Sequence, residues 1–323
     1  MADDEVATKA PESDAAEQTT IPGDTPAQEG PTLGEHCVTD RPSPAGEPTG
    51  EISKIADIDV YITKPSDYPH LPSKLLLFLS SGSGIKSKNN QLQADKYAAE
   101  GFLVVMPDQF GGDPAPNSTS DPATDSGNAP SLLDKVKLGV AETAKSFMLD
   151  MWLARQTQEK VLPIIQKVIE GAKEEFADAV ANGDGIYAVG YCFGGKYVLL
   201  LGAELPDTVA KGQALKDEEQ GITKSGAQIR AGAVAHGTLI TQEDIEKLKA
   251  PISLACTEND PLFPDEVRSS GEKFLVEQKI NHEMRVYPGV PHGFAVVGEY
   301  EDAKIKEAQE AAFEQMIQWL KSH

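Results

Sequence analysis

"AVGYCFGGKYVLLL" spans Ala188–Leu201. An apolar, β-prone run over Ile186–Val189 ends in Gly190-Tyr191-Cys192-Phe193-Gly194-Gly195, and a second apolar stretch begins at once. The spacing G-x-C-x-G between a strand and a helix is that of a nucleophile elbow, a strained turn that lifts its central residue off the end of a sheet. Glycines two before and two after relieve clashes with the neighbouring strand and helix. Amides at the helix start can hold an oxyanion, and the positive potential there favours a thiolate. The same cysteine also reads as a small buried core residue, a common place for a free thiol. The turn alone leaves both readings open.

Outward from this turn, apolar runs alternate with helical patterns. Strands are expected at Ile58–Ile62, Leu75–Leu79, Phe102–Met106, Ile186–Val189, Ala231–Ala235, Ile252–Ala255 and Met284–Tyr287. Helices are expected at Asn90–Ala99, Leu138–Thr157, Pro163–Ala181, Gly195–Ala203, Gln242–Leu248, Asp265–Gln278 and Glu301–Lys321, with Pro163 in a first turn. Several strand candidates are solid apolar runs, which suits strands covered on both faces. The alternation predicts an α/β fold, a mainly parallel sheet with helices on both faces. Two polar stretches, Gly111–Pro130 and Leu205–Arg230, interrupt it as loops.

Residues 1–50 read as an acidic, largely disordered tail, since they carry too little apolar surface to offset their ordering entropy. Residues 51–323 form the folded domain. The net charge of −22, from 29 basic and 51 acidic residues, sets the chain against nucleic acid and anionic membranes as partners. No apolar run reaches membrane-spanning length, and MADDEVATKAPESD lacks the features of a secretory signal. Three cysteines, Cys37, Cys192 and Cys256, are too few and scattered for a disulfide framework or a metal site. The expected location is the cytoplasm, with no cofactor and no metal. Oligomeric state is not legible.

A nucleophilic thiol needs a base and an acid to orient that base. In this class of fold the order is nucleophile, acid, histidine, each on a loop after a later strand. After Ile252–Ala255 comes Thr257-Glu258-Asn259-Asp260-Pro261, which offers Asp260, with Glu258 as competitor. After Met284–Tyr287 comes Pro288-Gly289-Val290-Pro291-His292-Gly293-Phe294, which offers His292. Of the remaining histidines, His36 and His323 lie in tails, and His70 and His282 look exposed. His236 ends a strand, either at the mouth of the site or in the core. Cys256, inside ISLAC, is expected to be a buried core thiol.

GYCFGG, the END-P turn and PHGF resemble the dienelactone hydrolase family over roughly residues 55–320, as does Pro107-Asp108 after the third strand candidate. The resemblance implies an α/β-hydrolase fold with Cys192 as nucleophile, His292 as base and Asp260 as its orienting partner. Two positions depart from the family pattern. Its thiol-contacting Glu would follow Leu75–Leu79, where this chain has Ser80-Ser81-Gly82-Ser83-Gly84. Its two carboxylate-binding arginines correspond to Gly112 and Val296. Lys86, Lys88 and Lys196 are nearby cations, read first as solvated surface groups.

The expected chemistry is cleavage of an ester or lactone, on neutral rather than carboxylated small molecules. The Phe193 N–H and the Ser81–Gly82 turn would form the oxyanion hole. Tyr191, Phe110, Phe294 and His236 would line the substrate pocket. Two readings from other classes also fit: a non-catalytic binding or scaffold protein that keeps the fold, and a thiol acyltransferase.

Overall fold

The runs Leu75–Leu79, Phe102–Met106 and Ile186–Val189 are apolar at every position, and in the computed structural model each is a strand buried on both faces. The structure describes residues 41–42, 46–116, 147–206 and 224–323. In chain order the strands are β1 (Glu51–Ile55), β2 (Ile58–Thr63), β3 (Lys74–Leu79), β4 (Phe102–Pro107), β5 (Ile186–Tyr191), β6 (Leu205–Pro206), β7 (Lys224–Ser225), β8 (Ala231–Ala235), β9 (Ile252–Thr257) and β10 (His282–Tyr287). The helices are α1 (Lys88–Ala99), α2 (147–155), α3 (Gln158–Glu175), α4 (Ala177–Asn182), α5 (Phe193–Leu201), α6 (Gln242–Glu246), α7 (Asp265–Glu277) and α8 (Ala303–Ser322).

Eight strands form one sheet in the order β1-β2-β4-β3-β5-β8-β9-β10, while β6 and β7 pair only with each other. β2 runs antiparallel to both of its neighbours, β1 at the edge and β4, and all the other pairings in the sheet are parallel. Side chains alternate across the sheet. Leu75, Leu77 and Leu79 pack with Val161 and Ile165 of α3 and Val198 of α5. Leu76 and Phe78 pack on the other face with Tyr97 of α1 and Met316 and Leu320 of α8. This is the doubly covered, mainly parallel α/β architecture expected from the strand–helix alternation.

The differences from expectation have local causes. β1 escaped notice because it is an edge strand in which only Ile55 is buried, so EISKI carries no apolar run. Pro163 stands inside α3, which starts at Gln158, rather than in a first turn. Burial of Val161, Leu162 and Ile165 around it offsets the missing backbone hydrogen bond. α5 starts at Phe193, two residues early, because Cys192 itself makes the turn. The helix expected over Leu138–Thr157 is present at 147–155, and its earlier part lies outside the described residues. So do the proposed tail up to residue 40, Cys37, most of the Gly111–Pro130 loop and the centre of the Leu205–Arg230 insertion. Ahead of β1, Arg41 lies over the Tyr300 ring, 3.7 Å from its centroid, and the Thr49 N–H donates to Asp95.

The elbow glycines are required by contact. A Cβ on Gly194 would sit 2.1 Å from the Leu79 carbonyl oxygen, and one on Gly190 would sit 2.6 Å from that of Gly194. The obstacles are backbone and cannot swing aside. Gly194→Ala is therefore expected to cost about 3 kcal/mol or more of stability in chemical denaturation. Gly226→Ala, where a Cβ meets nothing within 4 Å, serves as the near-neutral control. Equal stability of the two variants would refute this packing. Among the described residues no helix is long and apolar enough to cross a membrane.

Candidate active site

Three loops at the C-terminal ends of β5, β9 and β10 bring the chemistry together, with a fourth after β8. Cys192 follows β5 at φ 52° and ψ −116°, a conformation that strains a non-glycine residue. Its N–H donates to the Ala235 carbonyl (3.1 Å), and its carbonyl accepts from Gly195 (3.1 Å) and Thr238 (3.0 Å). The strain is thus held by both the following helix and the neighbouring loop.

Asp260 sits in the turn after β9. Its Oδ2 accepts from Thr257 Oγ1 (2.7 Å) and lies 2.6 Å from His292 Nδ1, while Oδ1 accepts from the Leu262 N–H (2.9 Å). Burial pushes this carboxyl up, but the bonds from His292, Thr257 and Leu262 outweigh it and hold it below the usual range. Glu258, the competitor, is exposed. His292 follows β10, and its loop is tied by Tyr300, whose hydroxyl donates to the Gly293 carbonyl (3.2 Å). Burial pushes the imidazole down, yet hydrogen bonds with Asp260 and Cys192, and their charges, raise it to about 9. The Asp260 carboxylate and the Cys192 sulfur thus favour the protonated ring. Cys256, by contrast, is buried in β9 with its thiol pushed up to about 12, which makes it a poor nucleophile.

Reading the sequence alone missed Thr238. Its Oγ1 lies 3.1 Å from Cys192 Sγ and 3.1 Å from His292 Nε2. Nothing in AHGTL signals this, because the contact joins three loops distant in sequence.

Phe193 opens α5, so its N–H has no acceptor within the helix. The Ser81–Gly82 turn follows β3, which pairs with β5 through Leu79 and Gly190, and so lies beside that helix start. Ser81 Oγ is turned toward Asn90 Oδ1 (3.1 Å) and Ser83 Oγ (3.0 Å), which leaves backbone groups as this turn's donors.

Of the expected pocket residues, His236 packs edge-on to His292 with ring centroids 5.0 Å apart. Phe294 is fully buried against Tyr287 and His236. Tyr191 and Phe110 are placed in the core. The Tyr191 ring stacks on Phe78 and its hydroxyl meets that of Tyr97 (2.8 Å), because the last residue of β5 faces the α1 side. Phe110 packs behind Phe193 with Trp152, at 5.3 and 5.2 Å between centroids.

Among the described residues, the candidate cation positions lie as follows. Gly112 is exposed, and a Cβ there would meet nothing within 4 Å. Val296 is buried and apolar. Lys196 Nζ donates to the Leu239 carbonyl (3.2 Å) and pairs with Asp244 (3.4 Å). Lys88 pairs with Glu47, and Lys86 is exposed. Arg155 forks onto Asp113 at 2.7 and 3.0 Å.

A sequence model of the dienelactone hydrolase family matches residues 58–214 and 220–323. Hydrolase pyvD of Aspergillus violaceofuscus is 28% identical over 278 residues, covering 86% of this chain and 92% of the relative. Dienlactone hydrolase 1 of Gibberella moniliformis is 29% identical over 276 residues, covering 85% and 88%. Among solved structures, a putative dienelactone hydrolase from Klebsiella pneumoniae superposes with a TM-score of 0.58 at 16% identity, covering 85% of this chain and 99% of that one. Thermogutta terrifontis esterase 2 gives 0.53 at 16% identity, covering 85% and 96%. At these identities the structural likeness is one of fold.

Proposed function

The chain belongs to the dienelactone hydrolase family, and from that premise we propose that it cleaves neutral esters or lactones through a Cys192–His292–Asp260 triad. The observation that carries this reading is the buried line of contacts from Asp260 through His292 to the strained elbow cysteine.

The thiolate of Cys192 attacks the carbonyl carbon. The developing oxyanion is met by the Phe193 N–H and a backbone donor of the Ser81–Gly82 turn, where losing one such donor costs about 3 kcal/mol of barrier. The His292 imidazolium gives its proton to the leaving alkoxide. Neutral again, it takes a proton from water, which attacks the thioester and frees Cys192. Asp260 holds the ring in one tautomer and offsets the charge it carries.

Preference for neutral substrates rests on electrostatics. A carboxylate entering a partly dry pocket must exchange its water for charge-assisted hydrogen bonds, best supplied by a bidentate arginine. Gly112 and Val296 supply none, and Lys196 and Arg155 are already engaged. The net charge of −22 adds a repulsion that salt partly screens. The test compares kcat/KM for a carboxylated dienelactone and its methyl ester, within a panel of uncharged esters and lactones. The methyl ester is expected to be turned over about tenfold faster or more, an advantage of about 1.4 kcal/mol in the transition state. A tenfold preference for the free acid overturns the neutral-substrate reading, and an inert panel overturns the hydrolase reading.

A further inference from the structure

The loop between β8 and α6 is bound on three sides. The Thr238 N–H donates to the Cys192 carbonyl (3.0 Å), and the Leu239 N–H donates to the Leu262 carbonyl (2.9 Å) in the Asp260 turn. Lys196 reaches over from α5 to the Leu239 carbonyl (3.2 Å) and to Asp244 of α6 (3.4 Å). Two non-glycine residues bracket Thr238 at positive φ, His236 at 37° and Leu239 at 55°. Strain of this kind persists only where surrounding contacts enforce it. Here the contacts deliver one buried hydroxyl to a point equidistant from Cys192 Sγ and His292 Nε2, 3.1 Å from each.

We propose that Thr238 is a catalytic residue, a hydroxyl that holds the Cys192 thiolate once its proton has passed to His292. This deepens the function proposed above and rests on Cys192 and His292 acting together as described there. A hydroxyl has one proton to donate and lone pairs to accept with, so it serves both states of the pair. In transfer, the S–H bond breaks as an N–H bond forms at Nε2, the sulfur keeps its electron pair, and the ring becomes imidazolium. Before transfer Oγ1–H can donate to Nε2, and after transfer it donates to the thiolate.

A charge-assisted bond of this kind is stronger than a neutral one, so it favours the ion pair. The turn after β3, Ser80-Ser81-Gly82-Ser83-Gly84, carries no carboxylate. An anion next to the sulfur would oppose the thiolate, whereas a hydroxyl donor supports it. The other titratable groups around the trio are Asp260 on the far side of His292, His236 edge-on to His292, and the Lys196–Asp244 pair behind Leu239.

The test titrates the thiolate by its ultraviolet absorbance, taken as the difference from Cys192→Ser, so that no probe has to enter the buried site. Thr238→Val and Thr238→Ala are both read, since the second adds no bulk should the first fail to fold. Thr238→Ser restores the hydroxyl. A folded hydroxyl-less variant is expected to titrate about one pH unit higher, a tenfold smaller ratio of thiolate to thiol at neutral pH. Its kcat falls by about the same factor and its KM holds, with both titration and kcat recovered in Thr238→Ser. An unshifted titration in a folded Val or Ala variant overturns this role for the hydroxyl. So does a Ser variant as impaired as the Ala variant, which would assign the role to the methyl group's packing. The titration is read without turnover, so it decides this proposal even if Cys192→Ala leaves activity intact and removes the triad reading.

Discussion

Cys192→Ala lowers kcat on neutral esters by about ten-thousand-fold or more, the scale seen when the nucleophile of a covalent mechanism is removed. The loss is in kcat because the sulfur makes its bond only in the reacting complex, so substrate still binds. Alanine accepts the elbow geometry with the same strain and removes only Sγ, so the variant should fold. Cys256→Ala is the matched control. That thiol is also buried, but it is held near 12 inside β9, and its removal should cost stability through a small cavity and leave kcat unchanged. Steady-state kinetics on both variants, with acyl-enzyme trapping by mass spectrometry on the wild type, read the outcome. Wild-type turnover in Cys192→Ala would leave the fold without this mechanism and favour a scaffold or another nucleophile. An acyl adduct that passes to an added alcohol or amine faster than to water would instead favour the acyltransferase.

His292→Ala is expected to cost a similar factor, and Asp260→Asn about a hundredfold less, because the first removes the proton carrier and the second its partner. The asymmetry follows from the bonds. Without His292 the ring that Asp260 holds in place to protonate the alkoxide is gone. Asparagine at 260 keeps a single oxygen, so the Leu262 N–H retains its acceptor only if an NH2 that cannot accept replaces Oδ2 beside Thr257 and His292, and the ring loses its anion. The imidazole should then fall from about 9 toward its ordinary 6.5, and the pH–rate profile moves with it. Measuring kcat/KM against pH in both variants separates a lost proton carrier from a shifted one. Full activity in Asp260→Asn together with loss in Glu258→Gln would transfer the acid role to Glu258, against its exposed position.

Local patterns were enough for the strand–helix alternation, the elbow at Gly190–Gly194 and the chain order of Cys192, Asp260 and His292. The reason is physical. Solid apolar runs record burial on both faces, and glycine spacing records a close backbone approach, seen here as the 2.1 Å gap between a would-be Gly194 Cβ and the Leu79 carbonyl oxygen. β1 was invisible because an edge strand exposing four of its five residues leaves no such record. Tyr191 and Phe110 looked like pocket residues from their neighbours in sequence. Their directions depend on which sheet face each ends on, and on partners such as Tyr97 and Trp152 far along the chain.

Thr238 marks the limit most clearly. Its role depends on loops after β5, β8 and β10 meeting within a few ångströms, and on His236 and Leu239 being forced to positive φ by bonds to β9, the Asp260 turn and Lys196. A threonine in a polar turn carries no local mark of such a place. The residue types and their order are written in the sequence, because Cys192, Asp260 and His292 must each suit their own local turn. The distances that couple a thiol, a hydroxyl and an imidazole arise only when the sheet sets those turns side by side.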